Sequence, residues 1–533
     1  MAKRLLAIFM AIFFVVCVSS CVSDNAQSTQ GDSSESETSP GTEFVTDDGV
    51  LKLCMFEVDS LNPLSTQNEG NLDVLRLMFD GLFTVKDNFT VENNICETYS
   101  ISEDGLDYAF QIRNNIKFHD DSPLTADDVD ASFKLITESQ NPYSTRFANV
   151  EATSSDGMTW YVTLNTPVIN FPALLDFPIM PARDAHMENN ITDINYVPIG
   201  TGLYNVIDYK ETKELYLTAN ENHFSGKRPK IDNIKITFVS DREAAISMFE
   251  NLYVDILPES AANLDEYTPK RDFTKSITYP KNKITFLGIN NQNPLLLSAA
   301  TRQAISLCID KNTMVNETKT RIAVPADIPI NPYFCYYDAE NVTFPFDTVQ
   351  ANELLIGDGF KDNNGDGILE KTIYEESHEL ILDILVNSEN SSRLKIAEAI
   401  KTSMEKAGFK VTVTSVDFET YKEQINSKNY DLFVGSINIS QNNDLSFMLK
   451  TDRNIFGISN EQIDIYLKQL TVLSNTTTIS DIYSSLCTSL AENMPVAGIY
   501  YDSGLLLCDK KIKGNIKPAE SNVFMNIEEW YIG

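Results

Sequence analysis

The chain of 533 residues has only two Trp and four His, and its 42 Lys and Arg are outnumbered by 76 Asp and Glu. A formal charge of −34 repels phosphate backbones and excludes a nucleic-acid partner. It equally excludes a polybasic hold on anionic lipid. His119, His186, His223 and His378 stand far apart, so no pair has metal-ligand spacing. The sequence contains no HExxH, no Walker A loop and no GxSxG nucleophile elbow. No CxxC pair exists, which removes zinc-ribbon and thioredoxin readings. Catalytic residues, metal ligands and cofactor motifs are therefore all expected to be absent. Acidic pairs such as Asp127-Asp128 carry little weight in so acidic a chain. No apolar run after residue 21 is long enough to span a bilayer.

What is present begins with a targeting segment. Lys3-Arg4 precedes the apolar run Leu5 to Val16, the length of a signal h-region. Val18-Ser19-Ser20-Cys21 follows and resembles a bacterial lipobox, which makes 1–20 a signal peptide and Cys21 a lipidated N-terminus. Residues 21–44 are rich in Ser, Thr and acid, without Lys or Arg, and read as a flexible tether. The remaining cysteines, Cys54, Cys96, Cys308, Cys335, Cys487 and Cys508, suit disulfides or buried thiols equally.

Further on, a stretch from Glu97 to Phe133 packs several signals together. Tyr108, Phe110 and Ile112 alternate with polar neighbours, as in a half-buried strand. Glu103-Asp104-Gly105 supplies a turn before it, Asn114-Asn115 a turn after it, and Ile116 and Phe118 open a return strand. Thr125 and Asp128 form a capping box for a helix whose apolar face is Val129, Phe133 and Ile136. Thr90 to Cys96 reads as a loop. Leu72, Leu75, Leu77, Met78 and Leu82 mark one helix face, and Ala300 to Val315 one amphipathic helix. Gly200-Thr201-Gly202 lacks the third Gly of a dinucleotide fingerprint and reads as a tight turn feeding a hairpin. Glu379–Val386, Ser391–Ala407 and Phe409–Val416 read strand, helix, strand, hence a parallel pair. Asp362, Asn364, Asp366 and Gly367 imitate the start of a calcium loop, but Ile373 stands where its bidentate Glu belongs.

These stretches carry a resemblance. The run through FHDDSPLTADDVDASF resembles the signature of the bacterial extracellular solute-binding proteins of family 5, the peptide- and nickel-binding components of ABC importers. Asp120-Asp121 stands where that pattern has Asp-Gly. Further similar segments are the Leu72 region, the GTGLYN segment, the Ala300 helix and the closing residues, in the family's order. The resemblance implies an α/β, two-lobed fold of the type II periplasmic-binding-protein kind. The first lobe would comprise 45–86, 196–283 and 496–533, with an inserted domain at 87–195 and a second lobe at 284–495. A ligand would sit between lobes that close on a hinge.

The same resemblance implies a monomeric lipoprotein on the outer face of the cell membrane, passing an oligopeptide or dipeptide to ABC permease subunits. It implies no enzyme activity and no cofactor. The cleft residues it points to are Gln67, Asn68, Glu69, Tyr143, Ser436, Asn438 and Asp444, with Asp444 pairing with a ligand ammonium. The run 435–444 lacks the Trp and Pro-Asp-Pro common in the family's peptide binders. Two rival readings are a secreted hydrolase on a similar scaffold and a ligand sensor docking on a receptor.

Overall fold

The computed structural model describes residues 49–533, except 140, 186–195, 211–212, 259–268, 271, 319–322, 341 and 473–475. The leader, Cys21 and the tether lie outside the described residues, as does His186. No described helix is long and apolar enough to cross a membrane.

The first lobe is built on a four-stranded sheet. Val50–Phe56 pairs in parallel with Asn233–Val239, followed by Glu214–Ala219 and Tyr204–Lys210. The apolar run of Val50–Phe56 is explained by burial on both faces. Leu51, Leu53 and Met55 enter the main core, while Cys54 and Phe56 pack with Ala245 and Phe249 of helix Arg242–Glu250. The GTG segment feeds the expected hairpin of Tyr204–Lys210 and Glu214–Ala219. Its glycines are required by close approach. A Cβ on Gly200 would lie 2.0 Å from the Met78 carbonyl oxygen, and one on Gly202 2.5 Å from the Met78 carbonyl carbon.

The insert carries an antiparallel sheet in the order Cys96–Ile101, Asp107–Ile112, Thr159–Leu164, Val150–Asp156. Tyr108, Phe110 and Ile112 are buried as their alternation requires. Helix Ala126–Glu138 packs on Val150–Asp156 and Thr159–Leu164 of this sheet, and its capping box is formed, Asp128 accepting the Thr125 N–H at 2.8 Å. Trp160 is fully buried and donates its indole N–H to Asp130. Insert and first lobe share one apolar core. The insert also reaches the other lobe: Phe89 and Ile169 sit in an apolar cluster of second-lobe residues such as Phe334, Leu445 and Tyr483. Two hydrogen bonds reinforce that contact, from the Cys335 N–H to the Asn88 carbonyl at 3.1 Å and from Asn442 Nδ2 to the Ile169 carbonyl at 2.9 Å.

A seven-stranded mixed sheet joins the lobes. Ile381–Asn387 and Lys410–Val416 are parallel, with helix Ser391–Lys406 between them, as the periodicity predicts. The strands Thr274–Ile289 and Val496–Asp509 run through both lobes. Thr274–Pro280 pairs with Ser503–Asp509 in the first lobe, and Ile284–Gly288 with Val496–Tyr501 in the second. Between them, Lys281, Asn282 and Lys283 stand opposite Asp502 alone, so the ladder is broken at the joint. Val496–Tyr501 pair with Ile284–Gly288 and pack in the two apolar clusters that hold Leu287 and Phe286. The strand does not stop there because Leu505, Leu506 and Leu507 carry it on into the first lobe.

Other local expectations also shift. Thr90–Cys96 contains a short strand, Val91–Asn93, paired to Phe83–Val85 rather than a loop. The helix after residue 68 ends at Leu75, and Leu77, Met78 and Leu82 are buried by the turns that follow. Ile116 and Phe118 are buried without forming a strand, joined only by a Lys117–Pro123 bridge. The Ala300 segment is two helices, Ala299–Leu307 and Lys311–Thr318, with the break after Cys308. No disulfide joins the described cysteines, and burial pushes the Cys54, Cys96 and Cys308 thiols up to about 12.

Candidate ligand cleft

A cleft of about 970 Å³ opens beside the joint, walled by both lobes and the insert. One wall is the loop after Val50–Phe56. Asp59 organises it, its carboxylate accepting from the Thr66 hydroxyl and the Gln67 N–H. Asn68 caps helix Glu69–Leu75 by accepting from the Gly70 N–H at 3.0 Å, and its Nδ2 donates to the Phe56 carbonyl. The Asn68 amide is thus spent on the loop, while Gln67 and Glu69 are exposed beside it.

The insert contributes Tyr143 and Arg146. Tyr143 is fully buried, and its hydroxyl oxygen accepts from Arg76 at 2.9 Å. The Arg146 guanidinium lies 4.8 Å from the Tyr143 ring centroid. Asp176 joins the two arginines, at 2.7 Å from Arg146 and 3.5 Å from Arg76. Burial works against the Arg76 charge, but the Tyr143, Asp176 and Asp73 oxygens outweigh it and hold the guanidinium protonated. Burial pushes the Tyr143 phenol up to about 12, so it stays neutral.

The second lobe presents Asn438 to Gln441 at the end of strand Leu432–Asn438. Of the residues expected from sequence, Gln67, Asn68, Glu69, Tyr143 and Asn438 line this cleft. Ser436 and Asp444 do not line it. Ser436 Oγ accepts from Thr285 Oγ1 at 3.4 Å, two residues back along the strand from the cleft mouth. After Gln441 the chain turns through Asn443 (φ 54°), and Asp444 accepts the Ser446 N–H at 2.8 Å at the start of the short helix Ser446–Leu449. That turn carries the carboxylate into the second lobe.

Sequence reasoning missed most of the charged lining. Glu57, Asp59, Glu69, Asp73 and Glu520 are matched by Arg76, Arg146, Arg242, Lys281 and Lys283. These come from segments more than 400 residues apart, so no local pattern groups them. One signal was available: cations are scarce in this chain, and Lys281 and Lys283 flank one Asn inside a strand. Both signs line the cleft, and Asp176 and Asp502 next to it already pair with Arg76, Arg146 and Lys283. Such a site suits a ligand carrying both signs.

The model of the bacterial extracellular solute-binding proteins, family 5 middle region, matches residues 90–454. The chain belongs to family 5 of the bacterial extracellular solute-binding proteins. Members of family 5 are extracytoplasmic solute-binding proteins rather than enzymes, and they work with ABC permeases. The chain is 23% identical to the oligopeptide-binding protein AppA of Bacillus subtilis (strain 168), over 88% of its own length and 89% of AppA. It is 22% identical to the heme-binding protein A of Haemophilus influenzae, covering 81% of this chain and 83% of that one. Among solved structures, the unliganded open form of the periplasmic murein tripeptide binding protein MppA superposes with a TM-score of 0.76 at 20% identity, over 91% of this chain and 97% of MppA. The likeness to MppA is one of fold, the two-lobed type II architecture of family 5.

Proposed function

We propose that this chain is the lipid-anchored, monomeric substrate-binding component of an ABC importer that captures an oligopeptide or dipeptide and delivers it to a membrane permease. The observation that carries this reading is the inter-lobe cleft of about 970 Å³, lined by charges of both signs. A short peptide with free termini carries both signs and enough polar backbone to use such walls. Water in so polar a cleft tolerates varied side chains. The joint at Lys281–Lys283 and Asp502 supplies the hinge on which the lobes close. Closure desolvates the ligand's hydrogen bonds and strengthens each of them. The oligopeptide binder AppA and the tripeptide binder MppA add support by analogy.

Native mass spectrometry of the purified protein tests the ligand. The expected result is a set of intact peptide masses released on denaturation. A carried sugar or metal chelate alone would overturn the peptide assignment, and turnover of added peptides would favour the hydrolase. Cys21→Ser is expected to release the protein from the membrane fraction. Its retention there would sink the lipid anchor.

A further inference from the structure

At the contact between the insert and the second lobe lies a second cavity, of about 210 Å³, which shares no lining residue with the ligand cleft. The insert supplies Phe89, Tyr99 and Tyr108 to its walls, and the second lobe Phe334, Tyr336 and Tyr483. Ile101, Ile169 and Ile479 fill the lining between these rings. No charged side chain is among the described residues that line it, in contrast to the cleft. An ion entering here would lose its hydration and find no counter-charge, so an occupant must be neutral.

The second-lobe rings are ordered. Tyr336 and Tyr483 lie parallel, with centroids 5.6 Å apart and 8° between their planes, and Phe334 stands edge-on to both. Rings held in this way offer a plane to a flat molecule. Tyr108 and Tyr483 are each only 3% exposed, and among the described residues neither hydroxyl has a hydrogen-bond partner. A buried hydroxyl without a partner is costly, and an occupant with a polar edge relieves that cost. Phe89 reaches the lining from backbone at φ 61°, a strained conformation of the kind that gathers at ligand sites. As to size, an apolar cavity of roughly 150 Å³ takes up benzene. The larger volume here has room for one or two fused rings.

We propose that this cavity binds a small, uncharged aromatic molecule of one or two rings, with its flat face on the second-lobe rings and a polar edge at the Tyr108 and Tyr483 hydroxyls. The occupant touches insert and second lobe together, and so adds to the tie that Phe89 and Ile169 make there. The site is independent of what the cleft carries.

Equilibrium dialysis of the full chain against indole and against indene tests the assignment. The two molecules share a shape, and only indole carries an N–H. Wild type should bind one indole per chain, about 5-fold more tightly than indene, the worth of one neutral hydrogen bond. The double variant Tyr108→Phe/Tyr483→Phe keeps both rings and should erase that preference. Tyr336→Ala removes a half-buried ring and should weaken both molecules about 3- to 10-fold. A cooperative thermal transition recorded for each variant shows that it is folded. Absence of saturable indole binding, an indole affinity no greater than that for indene, or binding that neither variant alters would each overturn the assignment.

Discussion

His119 Nε2 donates to the Gly202 carbonyl at 3.1 Å, and His119 Nδ1 accepts the Gly200 N–H at 3.4 Å. The backbone adds a third link, from the His119 N–H to the Gly200 carbonyl at 2.9 Å. Two stretches that mark the family in sequence, some 80 residues apart, are thus fastened to each other. The imidazole acts as a bracket for the glycine turn. Burial lowers its pKa, against the Gly202 carbonyl and Asp80, which favour the charged form.

A pH dependence follows from that burial. Folding favours neutral His119, so its contribution to stability is complete above about pH 6.5, the unfolded value. The contribution is lost as pH falls through the lower folded-state pKa. Denaturant titrations between pH 8 and 5 should show this decline. His119→Gln keeps a donor for Gly202 and should flatten it, at a cost of about 1 kcal/mol at neutral pH. An unchanged profile would show that His119 does not set it.

Gly200→Ala should be far more damaging than an ordinary loop substitution. The new Cβ would lie 2.0 Å from the Met78 carbonyl oxygen, a backbone atom without freedom to move aside. A loss of about 3 kcal/mol in urea unfolding is expected, the upper range for overpacking. A loss below about 0.5 kcal/mol would mean that the turn can move away from Met78.

Asp121→Gly should stabilise. Asp121 occupies the left-handed region at φ 67°, where the family pattern has Gly. Relief of that conformation is worth up to about 1 kcal/mol. The Lys117–Asp121 ion pair that it removes is solvent-exposed and contributes little. A drop in melting temperature would show that Asp121 has a role beyond its backbone.

Phe89 tests how the insert is held. It is buried among second-lobe side chains although its own backbone lies at φ 61°, a strained conformation for a bulky residue. Phe89→Ala should cost about 3–5 kcal/mol of stability. Ligand-free protein should also become more open in small-angle scattering, because this contact ties the lobes together away from the hinge. Equal scattering curves for wild type and variant would leave the hinge alone in control of opening.

Much of the local structure was legible in the chain. The alternation at Tyr108, Phe110 and Ile112, the capping box of Thr125 and Asp128, and the parallel strand pair around Ser391–Lys406 each depend on neighbours close in sequence. Patterns of period 2 and 3.6 report such neighbours directly. Elements that depend on a remote partner were misread. Val91–Asn93 is a strand because Phe83–Val85 pairs with it, and Val496–Asp509 continues past Tyr501 because the first lobe receives it.

The cleft marks the same division. Gln67, Asn68 and Glu69, expected there by resemblance, line the cleft, whereas the chain turns at Asn443 and Asp444 caps the helix that follows. Glu520, Arg146 and Lys281 meet only because two long strands cross the joint and the closing segment returns to the first lobe. Sequence by itself determined the family and the local elements, since both are written in short-range patterns. The tertiary structure alone decided which charges face the ligand, because contacts between residues hundreds of positions apart leave no periodic trace.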